Sequence, residues 1–356
     1  MSTSHSTRVD AIIVGGGLAG IHLALDMERS GMQAVVVDHP NPHSSSRVAA
    51  GIINPITGRR FALSWLYSEL HPVFTEVYTY WEDRWNVKFF QPRNIYRSVP
   101  ANKLVNDLDV KLSDPEFSRY CRPMLREEID RVSELLIFNE PGYVMHGYQL
   151  NTVLFLETAI RHLKSRNRYV RGSFPELKSQ LKVNEFHFEN FHSETLVWAT
   201  GAWIVQYQDF DWVGMNPNKG EVLKVRLPDQ YENDIIKQSA LYVPMGNHLW
   251  WVGTYDTWEW SQNPSAEGEA YLLARSKAFK HPVIVEEHIA SVRPAMQDRR
   301  PVLGAHPRND QLYIFNGFGS KGTSLIPFFA KMMVGHLERG ENIMREVDVR
   351  RYWPTS

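Results

Sequence analysis

Residues Val9 to Asp38 constrain the fold more tightly than any other stretch of this chain. Val9 to Val14 (VDAIIV) is a short β-branched, apolar run, as expected for a parallel strand buried on both faces. Gly15-Gly16-Gly17-Leu18-Ala19-Gly20 follows at once and matches G-x-G-x-x-G. From Leu18 to Ser30, apolar residues recur at Leu18, Ile21, Ala24, Leu25 and Met27, close to helical spacing, and Gly31 is placed to end the helix. Gln33 to Val37 is a second apolar strand and ends at Asp38. Strand, glycine turn, helix, strand and an acid about 20 residues past the glycines form a β-α-β dinucleotide-binding unit. Gly15 permits the tight turn, Gly17 lets backbone approach a pyrophosphate, and Gly20 lets helix and strand pack closely. The helix start, at Leu18 and Ala19, offers unpaired N–H groups to the phosphates. Asp38 is placed to accept a ribose 2′-OH, which disfavours a 2′-phosphorylated dinucleotide. His22, inside the helix, reads as packing.

This unit alone does not choose between NAD and FAD. The segment after Asp38 (HPNPHSSSRVAAGIINPITGRR) is a long loop rich in Pro, Ser and Gly. Its small residues Ala49, Ala50 and Gly51 would let backbone run beside a flat ring, though an ordinary surface loop has the same composition. Two later strands also end in small-residue turns. Glu194 to Ala199 leads into Thr200-Gly201-Ala202-Trp203, and Tyr313 to Asn316 leads into Gly317-Phe318-Gly319-Ser320-Lys321-Gly322-Thr323. A helix is predicted over 325–337, with Pro327 in its first turn. That second turn into a helix is another anion- or carbonyl-binding arrangement. Val222 to Val225 reads as a strand, and 241–244 with 249–252 as a hairpin turning at Gly246-Asn247.

Composition removes several function classes. Thirty-nine Lys and Arg against 40 Asp and Glu leave a net charge of −1, whereas an extended phosphate-binding surface needs a basic excess. The single cysteine, Cys121, forms no intramolecular disulfide. No apolar run approaches the ~20 residues of a membrane span, and Met1 to Arg8 is polar, so a soluble, cytoplasmic protein is expected. The histidines show no metal-ligand spacing, and no metal is expected.

Four landmarks, taken in order, give the chain a family resemblance. They are VGGGLAG with Asp38, SRVAAGI, VWATGAW, and SVRPAMQDRRPVLG followed by FNGFGSKGTSLIPFFA. Over roughly residues 8–340 the sequence resembles the FAD-dependent D-amino-acid oxidase/glycine oxidase superfamily. The resemblance implies a mixed α/β fold: a Rossmann-like FAD-binding domain (7–80, 143–205 and 288–345) interleaved with an antiparallel-sheet substrate domain (81–142 and 206–287). It implies FAD contacts from Gly15, Gly17, Leu18, Ala19, Gly20 and Asp38. Ser46, Arg47, Ala50, Gly51 and Ile52 would lie beside the isoalloxazine, and Thr200, Gly201 and Trp203 would contact FAD from the end of a later strand. The turn Gly317, Gly319, Ser320, Lys321, Gly322 and Thr323 would reach the pyrimidine edge. In such proteins the arginine matching Arg293 holds a substrate carboxylate, and a tyrosine matching Tyr242 assists, although a half-buried strand tyrosine would read the same. Lys321 would place positive charge by the flavin N1/C2=O edge, and Asp298 would anchor its loop. With no cysteine between Gly317 and Gly322, FAD is expected to be non-covalent.

The implied reaction is oxidation of the C–N bond of a small amino acid or carboxylated amine by hydride transfer to flavin N5. Oxygen or another electron acceptor would be the second partner. Ser320-Lys321-Gly322 is also similar to the flavin half of the bifunctional tRNA wobble-uridine modification enzyme, although the charge balance disfavours nucleic acid. A flavin-binding protein without turnover is a third reading. Trp250, Trp251, Trp258 and Trp260 read as sheet packing or as a narrowed substrate entrance.

Overall fold

The apolar runs around the first glycine turn pair as parallel strands because neither face of theirs meets water. The computed structural model describes residues 6–58, 60–99, 102–139, 141–172, 185–227 and 234–353. Residues 1–5 of the polar start lie outside the described residues. Ala11–Val14 runs parallel to Ala34–Asp38 on one side and to Leu196–Trp198 on the other. Tyr169–Arg171 and Asn309–Asn316 extend this parallel sheet, and antiparallel Val302–His306 closes a six-stranded sheet. The helix Leu18–Arg29 covers one face together with Gly322–Arg339, burying Leu18, Ile21 and Leu25 with Phe329 and Met333. Gly31, with φ of +83°, follows the capping residue Ser30 and takes the left-handed conformation that stops the helix.

A second sheet of nine strands uses the middle of the chain. Its order is 284–293, 218–226, 249–257, 241–246, 235–237, 90–98, 142–150 and 52–53, with 121–123 beside 142–150. One face packs into the core shared with the parallel sheet. The other buries Tyr96, Tyr242, Trp250 and Val252 under the helices Arg126–Leu135 and Ala266–Ser276. The boundaries drawn at 143 and 288 fall inside strands of this large sheet, because 142–150 and 284–293 bond to it along their whole lengths. Among the described residues, no helix is long and apolar enough to cross a membrane.

Three local expectations change. The hairpin turns at Asn247 and His248, with φ of 53° and 63°, and Gly246 closes the strand before it. Two consecutive positive φ angles match the twist of the flanking strands. The loop after Asp38 contains one helical turn, Ser45–Val48. The last long helix starts at Gly322, so Pro327 lies in its second turn. Proline there has no N–H for the Thr323 carbonyl. The Tyr78 hydroxyl donates to that carbonyl instead, at 2.7 Å in the buried core. Tyr78→Phe should leave the carbonyl unmet and lower unfolding stability by about 1–3 kcal/mol, read from urea denaturation with an unchanged m-value.

Cys121 is buried, and burial pushes its thiol up to about 12, so it is an inert packing group. Trp250 and Trp251 are sheet packing, whereas Trp258 and Trp260 are exposed.

Candidate functional site

Three parallel strands side by side must deliver their ends to one edge of the sheet. Val14 stands opposite Trp198, and Trp198 opposite Ile314, so the turns after Val14, Trp198 and Asn316 converge. Asn316 Nδ2 donates to the Gly201 carbonyl at 2.9 Å and ties two of these turns together. The first turn is tight enough to require glycine. A Cβ on Gly20 would lie 1.9 Å from the Gly15 carbonyl oxygen, and one on Gly15, whose φ is +113°, would lie 2.5 Å from the Ala199 carbonyl oxygen.

Above the helix start sits the loop that follows Asp38. Ser46 Oγ accepts the Leu18 N–H at 3.0 Å, and Asp38 Oδ1 accepts the Gly16 N–H at 2.8 Å. Tyr169 donates its hydroxyl to the other Asp38 oxygen at 2.5 Å. The remaining N–H groups of the first helical turn, those of Ala19 and Gly20, have no carbonyl one turn back inside the helix. Thr200 Oγ1 is buried beside this edge without a hydrogen-bond partner among the described residues. A glycine cradle, a helix N-terminus and an orphaned buried hydroxyl fit an anionic, hydrogen-bonding ligand such as FAD.

The loop then divides between two ends of the site. Arg47 points toward Glu157, at 3.9 Å, and lines a cavity of about 510 Å³ with Arg161, Lys164, Tyr169 and Arg171. That cavity adjoins Asp38. Arg47 therefore belongs to the Asp38 end, not beside an isoalloxazine as the loop motif implied. Ala50, Gly51 and Ile52 run to the opposite end. Gly51 lies against Leu150, where a Cβ would meet the carbonyl oxygen at 1.7 Å. Thr323 Oγ1 donates to the Ile52 carbonyl at 3.3 Å, which joins this loop to the start of the last helix. Trp203 meets Trp260 edge-on at 5.4 Å.

Lys321 caps that helix start. Its Nζ lies 3.4 Å from Thr57 Oγ1, and burial, then Arg300 and Arg299, lowers its pKa. Arg299 and Arg300 thus concentrate positive charge at the Gly317–Thr323 turn, where a developing negative charge would be stabilised. Asp298 accepts the Arg300 N–H at 2.9 Å and is paired with Arg351 at 2.8 Å, so it anchors its loop.

Arg293 ends the strand Ile284–Arg293 next to this turn. Its neighbour Pro294 accepts the Gly319 N–H at 2.9 Å. Nη1 donates to Asn218 Oδ1 at 2.6 Å and to Asp256 Oδ1 at 2.7 Å. Both contacts use one nitrogen, which leaves the opposite edge of a partly exposed guanidinium for a ligand. Gly220 makes room for it, since a Cβ there would lie 2.1 Å from Nη2.

Tyr242 is a correction. It is 0% exposed, on the far face of the sheet, and donates its hydroxyl to the Arg275 carbonyl at 2.9 Å. Side chains alternate along a strand, so Leu241 and Val243 take the face that the sequence reading assigned to Tyr242. Sequence reasoning also missed Asn218, Asp256 and Tyr169. Asn218 pairs in register with Arg293, and Tyr169 opens a short strand beside Asp38; neither carries a local motif.

A family model described as "FAD dependent oxidoreductase" (DAO) matches residues 10–335. A glycine oxidase from Geobacillus kaustophilus (strain HTA426) is 28% identical over 159 residues. That match spans 42% of this chain and 42% of the relative, so less than half of the relative's length is matched. Two solved structures share the fold over almost the whole chain. The glycine oxidase from Bacillus cereus ATCC 14579 superposes with a TM-score of 0.77 at 18% identity, covering 94% of this chain and 96% of the other. The iminodiacetate oxidase from Chelativorans sp. BNC1 superposes with a TM-score of 0.74 at 18% identity, covering 97% and 98%.

Proposed function

We propose, from the premise that this chain belongs to the DAO family of FAD-dependent oxidoreductases, that it oxidises the C–N bond of a small amine bearing a carboxylate. FAD, when bound, supplies the two-electron oxidant that takes hydride from the carbon beside nitrogen. The glycine turn Gly15–Gly20 and the helix start at Leu18 would hold the pyrophosphate, with Ser46 over it. Asp38 would accept the ribose hydroxyl, with Tyr169 setting the direction of its carboxylate. The cavity lined by Arg47 and Arg171 would take the adenosine end. Thr200 and Gly201 would contact the cofactor beside the first glycine turn, and Gly51, Ile52 and the Gly317–Thr323 turn would surround the ring.

Arg293 carries the substrate side of this reading. It stands one hydrogen bond, through Pro294, from Gly319 in the turn assigned to the ring. Asn218 and Asp256 pin one nitrogen of the guanidinium, so its free edge is presented in a fixed direction to a carboxylate. Lys321 and the N–H groups at Thr323 would offset negative charge arising at the ring edge. An amine that enters neutral needs no protein base. Oxygen or another acceptor would reoxidise the cofactor.

The cofactor half is tested without turnover. The purified protein should be yellow, and acid precipitation should leave all its flavin in the supernatant, because no cysteine lies between Gly317 and Gly322. Flavin retained in the pellet, or a colourless protein that does not take up FAD, would refute this half. The substrate half is tested by adding glycine, sarcosine, proline, iminodiacetate and D-amino acids to oxygen-free protein and following loss of the oxidised-flavin colour.

A further inference from the structure

Two cations of the large sheet stand side by side, with no anion between them among the described residues. Arg97 and Lys237 are register partners on the parallel strands Phe90–Ser98 and Ile235–Lys237. Two residues earlier, Ile95 and Ile235 face the core shared with the parallel sheet, while Tyr96 and Ile236 face the opposite cluster. The alternation therefore turns Arg97 and Lys237 toward the same inner face. Arg97 is only 8% exposed. Its guanidinium carbon lies 3.6 Å from the centre of the Phe61 ring, and Nη2 donates to the Gly58 carbonyl at 2.9 Å. Nη1 is buried with no hydrogen-bond partner among the described residues.

Among the described residues, neither Arg97 nor Lys237 is paired with a carboxylate. Burial, aided by the charge of Arg97, pushes the Lys237 ammonium down to about 8, and burial brings Arg97 down to about 10. Like charges held together in a partly buried site are unfavourable unless an opposite charge joins them. Gly58 follows Thr57, whose hydroxyl meets Lys321, so one small hairpin links this pair to the turn assigned to the flavin ring.

We propose that Arg97 and Lys237 form a recessed binding site for an oxyanion, a carboxylate or phosphate group, on the inner face of the large sheet. Arg97 Nη1 would donate a charge-assisted hydrogen bond, and Lys237 would supply a second cation at an adjustable distance. The group is either a second acidic function of the substrate or a separate small anion. The first source rests on the amine-oxidation reading above; the site itself does not.

The test uses FAD-loaded protein, with inorganic phosphate and malonate as probes in isothermal titration calorimetry at constant ionic strength. At least one probe should bind once per chain. Arg97→Met and Lys237→Met should each weaken it by at least about tenfold, while Lys224→Met, at an ion pair on the same sheet, should not. Should Arg97→Met fail to fold, Lys237→Met and the charge-keeping Arg97→Lys carry the test. Without added anion, Lys237→Met should raise the melting temperature, since it removes an uncompensated charge. Absence of saturable binding, or undiminished binding in Lys237→Met, overturns the site. Flavin reduction by D-alanine and D-glutamate then identifies the source. A KM rise confined to D-glutamate in Lys237→Met assigns the site to the substrate, and unchanged kinetics with lost phosphate binding assign it to a separate anion. If neither amino acid reduces the flavin, the amine reading suffers while the calorimetry still decides the site.

Discussion

Arg293→Ala is expected to slow flavin reduction by a carboxylated amine by roughly 30- to 4,000-fold, because truncating a charge-assisted contact in a partly dry site costs on the order of 2–5 kcal/mol. The surroundings push the effect toward the upper end. Asp256 lies 2.7 Å from the guanidinium, and without Arg293 its carboxylate would face the incoming carboxylate unopposed. FAD content should change little, since the arginine side chain bonds to Asn218 and Asp256 and not to the glycine turns. Arg293→Lys should recover only part of the rate, because an ammonium lacks the planar fork. An amine without a carboxylate should be nearly indifferent to either change. Equal losses on both kinds of amine, or none on either, would remove the clamp from the account.

The second large effect separates two glycines of one motif. Gly20 touches backbone, and the 1.9 Å approach of a new Cβ to the Gly15 carbonyl leaves nothing flexible to move. Gly20→Val should therefore abolish folded, soluble protein. At Gly17 the nearest atom to a new Cβ is Ser46 Oγ, at 3.0 Å, which rotates aside. Gly17→Val should fold with near-native circular dichroism yet bind FAD at least about a hundredfold more weakly, because its side chain occupies the path of the phosphates. Undiminished FAD affinity in Gly17→Val would place the cofactor elsewhere.

The contrast between these predictions and the corrected residues shows where a sequence is readable. Gly15 to Asp38 is a unit whose turn, helix and second strand follow from local spacing, and its strand and helix ends lie within two residues of those expected. The placement of Arg293 beside the Gly317–Thr323 turn follows the order of a rare motif. Tyr242 was not, for a physical reason. The strands LYVP and LWWV are apolar at every position because the large sheet is covered on both faces, so their pattern carries no information about which side chain faces which way. Asn218, Asp256 and Tyr169 act through strand pairing across long separations, 131 residues in the case of Tyr169 and Asp38. Arg97 and Lys237 meet in the same way, from strands that carry no motif.

The central claim is that an amine next to a carboxylate gives its electrons to FAD beside Arg293. Anaerobic mixing of the yellow protein with the carboxylated amines, alongside Arg293→Ala and a carboxylate-free amine, tests it most directly. Loss of the oxidised-flavin absorbance is expected with at least one carboxylated amine, strongly slowed in Arg293→Ala. Absorbance that persists with every carboxylated amine, or that falls equally fast without Arg293, would contradict it.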